Sequence, residues 1–383
     1  VRSTITVVGA SLAGLSTARA LRAQAFDGRI VLVGDEPHRP YDRPPLSKDF
    51  LAGKSSFADI ELSTSDDDFA WRLGQRAVAL AGHEVVLASG ERLTSDAVVL
   101  ATGARARRLP GMPLAGVHTL RSLDDALALR EELVPGANLV LIGAGFVGAE
   151  VASTARALGL EVTVVEALTT PLSGALGTEM GEVCAELHRD HGVRLVTGVG
   201  VSGFTGDDRV RAVRLADGRE LAADVVVAGV GAVPCVEWLA GSGVTIDGGV
   251  VTDARCATNL PGVVAVGDCA SSYNGFAGQV LRLEHWTNAV QQAQVAAATL
   301  LDRTAAVHPV PYFWSDQYGV RLQFAGHRRD GDRTVIVEGD TATRRFVAVY
   351  RRGDRPVAVL AMNQPKLFGR WRRELAATVP QPA

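Results

Sequence analysis

The chain carries the same construction twice. Residues 4–35 read TITVVGASLAGLSTARALRAQAFDGRIVLVGD, and residues 138–166 read NLVLIGAGFVGAEVASTARALGLEVTVVE. Each copy is an apolar, β-branched run, a glycine-rich turn, an alanine-rich stretch of helical period, and a second apolar strand that ends in an acid. That is the pattern of a βαβ mononucleotide-binding unit. Its crossover helix returns the second strand parallel to the first, so each copy calls for a parallel sheet covered by helices. The 383 residues leave room for two or three domains of about 150 residues.

The second turn is Gly143-x-Gly145-x-x-Gly148, with Phe146 and Val147 between its last two glycines. Gly143 serves the tight turn, Gly145 lets the backbone approach a pyrophosphate, and Gly148 allows close helix–strand packing, with the phosphates at the helix N-terminus. Glu166 follows eighteen residues after Gly148. A carboxylate there accepts from a ribose 2′-hydroxyl and repels a 2′-phosphate, and no Arg or Lys occurs from Ala167 to His188. The cofactor expected on this unit is NADH rather than NADPH. The first turn is Gly9-x-Ser11-x-x-Gly14, enclosing Leu12 and Ala13, with Asp35 twenty-one residues beyond Gly14. Serine in place of the middle glycine puts a Cβ where phosphate would approach. Two dinucleotide folds in one chain point to two cofactors, one of them permanently bound.

Other function classes recede on composition. The net charge of −3 supplies no global basic field for nucleic acid. No apolar run approaches the ~18 residues of a membrane span. The first ten residues read as a buried strand and a glycine turn, so no secretory leader is expected ahead of them. Cys184, Cys235, Cys256 and Cys269 form no C-x-x-C pair, which removes a redox dithiol, a Cys-ligated zinc and a built-in iron–sulfur cluster, and favours a cytoplasmic location. His188 and His191 lie at a helix end without further ligands, so no metal is expected. Asp66-Asp67-Asp68 after Ser63-Thr64-Ser65 reads as acids at a helix N-terminus. Residues 36–75 read as irregular. Strands are expected near 76–80, 84–88, 97–101, 193–197, 209–215 and 224–230, and helices near 178–191, 287–302 and 369–377. The tail from 311 holds thirteen Lys/Arg and seven Asp/Glu, a net +6 against −9 for the rest. Such asymmetry suits either a solvated face or a docking surface for an acidic partner.

TNLPGVVAVGDCA (258–270) places Asp268 after a buried strand and resembles the second FAD fingerprint of flavoproteins with two dinucleotide folds; the Ala-Thr-Gly turn at 101–103, with Thr102 and Gly103, matches another such element. With RPYDRPPLSKDFLAG (39–53), LRSLDDA (120–126), LEHWTNAVQQ (283–292) and YFWSDQYG (312–319), nearly the whole chain resembles the FAD-dependent NADH:ferredoxin reductases of bacterial oxygenase systems. The tail, ending at 383, reads as somewhat short for that family. The resemblance implies that Ala13 and Asp35 lie on the pyrophosphate and adenosine side of FAD, and that Val78 gives a backbone contact to adenine. It implies that Arg43 and Lys48 sit beside the isoalloxazine, Lys48 near N5, that Arg121 contacts FAD, and that Asp268 holds a ribityl hydroxyl. Trp286 would line the flavin pocket and Trp314 the electron-exit side, with Gly231 and Pro234 on the nicotinamide side. Glu150, on the helix after the second turn, should point to the same place, so a Lys48–Glu150 ion pair is expected beneath the flavin.

The fold expected is α/β, with two Rossmann-like domains and a small α+β C-terminal domain. The FAD domain would be discontinuous, 1–108 plus 237–308; the NADH domain would span 109–236 and the C-terminal domain 309–383. The function implied is hydride transfer from NADH to FAD and release of single electrons to an acidic iron–sulfur ferredoxin serving a monooxygenase or dioxygenase, with Lys48, Glu150 and Trp314 in the catalytic set. Two alternatives stand beside it. A flavin NADH oxidase or peroxidase would need a cysteine near N5. An NADH-sensing flavoprotein would act through a charge-transfer complex and a change of oligomeric state. Monomer and homodimer both stay open.

Overall fold

Residues 2–64, 67–110, 114–304 and 310–377 are described in the computed structural model of the chain. Both repeats fold as their patterns require. Strand Thr4–Val8 pairs in parallel with Arg29–Val33 and with Ala97–Leu100, and the crossover helix Leu12–Ala23 joins the first two. Ala70–Arg72 and Val263–Ala265 add at the two edges to complete a five-stranded sheet. Ala97–Leu100 is buried along its whole length, as a strand covered on both faces must be. One face packs against the first crossover helix and the return helix Trp286–Leu300 through Ala18, Leu21, Ala296 and Leu300.

In the second repeat, Asn138–Ile142 pairs in parallel with Glu161–Glu166 and Val225–Ala228. Arg194–Thr197 and Val117–His118 make this sheet five-stranded too. Phe146–Ala157 is its crossover helix. Two short antiparallel strands, Ala104–Ala106 and Ala232–Pro234, run between the two sheets in the sequence and pair with each other.

The tail forms a five-stranded antiparallel sheet in the order Tyr312–Gln317, Val320–Gly326, Arg355–Met362, Arg345–Arg352, Arg333–Asp340. Helix Pro365–Ala377 packs on one face through Phe368 and Leu375. The other face packs Phe346, Tyr350 and Leu360 against Met180, Cys184 and Leu187 of helix Thr178–Asp190. Polar ties reinforce that contact. Arg344 pairs with Glu186 and Asp190 at 3.2 and 2.6 Å, Tyr350 donates to the Leu176 carbonyl at 2.7 Å, and His188 Nδ1 lies 2.8 Å from the Tyr318 hydroxyl. The fold is therefore α/β with two Rossmann-like sheets and a small α+β tail.

Four readings of the sequence need correction. The acidic run near residue 67 opens no helix: Asp67 and Asp68 pair with Arg19 and Arg22 of the first crossover helix, and the chain enters strand Ala70–Arg72. Ser65 and Asp66 lie outside the described residues. The stretch 36–75, read as irregular, thus contributes an edge strand to the first sheet. Helix Leu123–Glu132 was not expected, although its signal is present: Ser122 and Asp125 form a reciprocal capping box. The last helix begins at Pro365, four residues before its expected start, with proline in the first turn where its missing N–H costs nothing.

Burial pushes the His188 imidazole down to about 4. The unfolded residue titrates near 6.5, so the unfolded chain binds more protons than the folded one below that pH. Stability contributed by neutral His188 is complete above about pH 6.5 and is lost as pH falls towards 4, by roughly 3 kcal/mol in all. The urea midpoint of the parent chain should fall more steeply between those pH values than that of His188→Gln. Parallel slopes would contradict the assignment.

Candidate active site

The two glycine turns open onto helix N-termini with nothing to satisfy them. Ser11 and Gly145 occupy the N-cap positions in extended conformation, neither helix has a side-chain cap, and neither has an acid in its first turn. The first-turn amides are left for an external anion. Gly143 has φ +96°, and a Cβ on it would collide with the Gly229 carbonyl. A Cβ on Gly145 would meet nothing within 4 Å, so this position keeps open a space outside the turn rather than relieving a clash inside it. Gly9 and Gly14 pack as tightly as Gly143 and Gly148: a Cβ on Gly9 would strike the Ala101 carbonyl. Leu12, Ala13 and Phe146 are half-buried and Val147 is exposed, which puts them at the rims of the two turns.

Glu166 ends strand Glu161–Glu166. Its Oε2 accepts from the Ala144 amide at 2.8 Å and its Oε1 from the Leu168 amide at 2.9 Å. Both oxygens are oriented by backbone and retain lone pairs for a diol. Asp35 follows the equivalent strand and is exposed, paired with Arg76 at 3.0 Å. Val78 is 44% exposed on strand Ala77–Ala81.

Several expected residues converge on one another. Asp268 lies in the turn Gly267–Cys269 and receives Arg121 Nη2 at 2.7 Å. Arg121 Nε donates to the Ala104 carbonyl at 2.9 Å, and Arg43 Nη1 donates to the Arg121 carbonyl at 2.7 Å. Arg43 also holds Glu36 and the Tyr41 hydroxyl. Burial, with Glu36 beside it, pushes the Tyr41 hydroxyl well above the usual tyrosine range, so it stays a neutral donor. Thr102 donates to the Cys235 carbonyl at 2.6 Å, and the Cys235 amide donates to Gly103. Gly231 accepts from the Arg107 amide at 2.9 Å, and Pro234 ends the linking strand.

The expected ion pair is present. Lys48 Nζ lies 2.6 Å from Glu150 Oε2, and Glu150 is only 6% exposed. Two partners of this carboxylate escaped the sequence reading. Ser47 donates to Oε2 at 2.6 Å and Ser315 to Oε1 at 2.6 Å. The Ser47 carbonyl in turn accepts from Thr154, one turn beyond Glu150, at 2.8 Å. Ser47 could have been found as the neighbour of Lys48; Ser315 had no signal beyond its place in the string YFWSDQYG. On the outer side, Trp286 donates to Asp42 at 2.7 Å and meets Trp314 edge-on at 6.1 Å. Trp314 stacks on Tyr312 at 6.0 Å.

No group of His, Cys, Asp and Glu able to hold a metal occurs among the described residues. His188 and His191 are spent on the Tyr318 hydroxyl and the Leu187 carbonyl. All four cysteines are free. Burial pushes the Cys184 and Cys256 thiols up to about 12 and that of Cys269 up to about 11, far from the thiolate a redox cysteine requires.

The orientation of Glu166 generates a test. Glu166→Gln removes the charge while keeping the shape, and losing a charge-assisted hydrogen bond should raise the NADH KM about tenfold. The preference for NADH over NADPH should narrow with it. An NADH/NADPH ratio equal to that of the parent would remove Glu166 from cofactor selection.

Comparison with known proteins agrees with this geometry. The family model described as pyridine nucleotide-disulphide oxidoreductase matches residues 3–293, and the reductase C-terminal model matches residues 312–383. The biphenyl dioxygenase system ferredoxin–NAD(+) reductase component of Paraburkholderia xenovorans strain LB400 is 41% identical, over 95% of this chain and 91% of that one. Putidaredoxin reductase of Pseudomonas putida is 36% identical, over 98% of this chain and 92% of that one. The crystal structure of a covalent putidaredoxin reductase–putidaredoxin complex matches with a TM-score of 0.94 at 34% identity, covering 98% of this chain and 93% of that one. No helix among the described residues is long and apolar enough to cross a membrane. With two uncapped glycine turns, a Lys48–Glu150 ion pair and both family models across its length, the chain belongs to the pyridine nucleotide-disulphide oxidoreductase family, among its ferredoxin–NAD reductases.

Proposed function

We propose that this chain is a cytoplasmic NADH-dependent reductase that holds FAD and delivers single electrons to an acidic iron–sulfur ferredoxin of an oxygenase system. The observation that carries the reading is the Lys48–Glu150 pair, whose carboxylate stands on the helix that opens from the second of two uncapped glycine turns. FAD, when bound, supplies the conversion of a two-electron hydride into single electrons. The space left by Gly145 and the free amides of both helices fit two dinucleotides. The first turn, Arg43, Thr102, Gly103, Arg121, Asp268 and Trp286 would hold FAD, with Asp35 and Val78 on its adenosine side. The second turn, Glu166 and Gly231 would hold NADH. We assign 1–108 and 237–308 to the FAD domain, 109–236 to the NADH domain and 309–383 to the C-terminal domain; the return of Val263–Ala265 to the first sheet supports that division.

The side chains bind, orient and place charge; the transfer needs no acid or base among them. Glu150 fixes where the Lys48 ammonium stands, and that ammonium favours negative charge on the reduced flavin. Asp268 and Arg121 lock each other, so the acid keeps its direction without a ligand's help. On the exit side Trp314, Tyr312 and Trp286 form a continuous aromatic edge. Arg372 lies over Tyr312 at 4.4 Å and Arg321 over Trp314 at 5.9 Å, and Lys366, Arg370 and Arg373 share the helix of Arg372. That concentration of positive charge around an aromatic edge fits an acidic protein and disfavours a neutral one.

The purified yellow protein should reduce cytochrome c with NADH slowly alone and much faster with a [2Fe–2S] ferredoxin. The ferredoxin-dependent rate should fall as salt rises, because charges on facing surfaces are screened beyond about 10 Å at moderate ionic strength. A rate insensitive to salt would remove the basic tail from docking. A flavin that NADH reduces readily but that no ferredoxin in a panel reoxidises would point instead to a sensor.

A further inference from the structure

The buried carboxylate of Glu150 is held from the C-terminal part of the chain as well as from the Lys48 side. Its Oε2 takes Ser47 and Lys48; its Oε1 takes Ser315. Ser315 is 0% exposed and sits in strand Tyr312–Gln317. A serine hydroxyl has one proton to give. Gln317 Nε2 donates to Ser315 Oγ at 3.1 Å, so the hydroxyl's own proton is left for Glu150. Gln317 is itself 2% exposed and lies on the same face of the strand as Ser315, two residues on. The chain of donors runs one way, Gln317 to Ser315 to Glu150, and ends on the oxygen opposite the one that holds Lys48.

We propose that Ser315, steered by Gln317, is a positioning residue that keeps the Glu150 carboxylate turned towards Lys48 and so sets the ammonium beside the flavin from the C-terminal domain. Among the described residues the Lys48 ammonium has one other partner, the Pro44 carbonyl at 2.9 Å, and its side chain is 21% exposed. It has somewhere to go if Glu150 turns. Without Ser315, Oε1 loses its donor in a site shut off from water. The carboxylate then rotates to recover one and draws Oε2 away from the ammonium. The inference rests on the reading that Lys48 faces the flavin, and the test separates the two.

The readout is the midpoint potential of the bound flavin in the holoenzyme, with FAD content and NADH affinity measured alongside. Ser315→Ala should weaken stabilisation of the reduced flavin about tenfold, a fall of about 30 mV for a two-electron couple. NADH affinity should be unchanged, and the rate of flavin reduction should drop in step with the potential. Gln317→Leu should shift the potential in the same direction by less, and it carries the test if Ser315→Ala loses FAD. In a Lys48→Met background, Ser315→Ala should add no further shift, because its effect passes through the ammonium. A full extra shift there, or Lys48→Met moving the potential while neither Ser315→Ala nor Gln317→Leu does, overturns the inference. If Lys48→Met itself leaves the potential unmoved, the placement of Lys48 at the flavin fails, and the inference fails with it.

Discussion

One buried carboxylate holds three separated stretches of this chain together. Taking a carboxylate out of water costs several kcal/mol, repaid only when its lone pairs are met in good geometry. Glu150 meets that condition with three donors at 2.6 Å, from residues 47, 48 and 315. None of the three is near it in sequence. Helix Phe146–Ala157 cannot keep Glu150 inside unless the loop before it and the tail after it are both in place. Two further bonds lie on the next turn of the helix: Thr154 donates to the Ser47 carbonyl at 2.8 Å, and the Tyr318 amide donates to Ser153 at 2.7 Å. The helix that opens from the second glycine turn is thereby clamped on both flanks. Its orientation is set by polar contacts that have few alternative registers, whereas apolar packing alone would tolerate sliding.

The two repeats solve one problem with different residues. Each needs a helix N-terminus that is open, uncapped and free of acids, and each puts its crossing point behind a glycine whose Cβ would strike the neighbouring strand's carbonyl. They differ at the N-cap. Gly145 leaves open space, while Ser11 brings a hydroxyl that caps nothing in its own helix. A serine is a favoured N-cap residue because it satisfies an amide two or three positions on. Here it does not, so the amides of the first turn stay available in both copies. The serine therefore costs the first turn room without closing it.

Legibility follows the range of the interactions. The sheets and crossover helices rest on periodicity and turn glycines, which are local, and the central strands of both parallel sheets lie on the runs that predicted them, whereas the edge strands Ala70–Arg72 and Val117–His118 had no such run. Glu166 was legible because its distance from Gly148 places it at a strand end, where the structure finds it held by two amides. The Lys48–Glu150 pair was legible through the family resemblance together with the face of the helix. Ser315 and Gln317 were not, because their roles exist only once the tail sheet docks. The acids near residue 67 show the opposite failure: a short acidic run suits a helix N-terminus and an external arginine equally well, and Arg19 and Arg22 decide the matter from 45 or more residues away. Helix Leu123–Glu132 was missed for another reason, since its capping box was visible but its apolar stripe is short.

Strand Tyr312–Gln317 shows how a β period of two can keep a charge inside and an aromatic edge outside. Successive side chains point to opposite faces. Phe313, Ser315 and Gln317 face inward, with Phe313 against Phe146 at 4.6 Å and Ser315 on Glu150. Tyr312 and Trp314 face the other way, stacked on each other and flanked by Arg372 and Arg321. The basic charge that flanks this strand, on Arg321 and Arg372, stays on that outer face. Had it reached the inner face, a second cation near Glu150 would compete with Lys48 for the carboxylate at short range, where Coulomb terms are largest. The alternation keeps the two apart without any intervening layer. A slip of one residue in the pairing of Tyr312–Gln317 with Val320–Gly326 would exchange them, bringing Trp314 into the core and Ser315 out. The register Trp314↔Gln323, Ser315↔Leu322 is therefore as much a part of the site as the residues that line it.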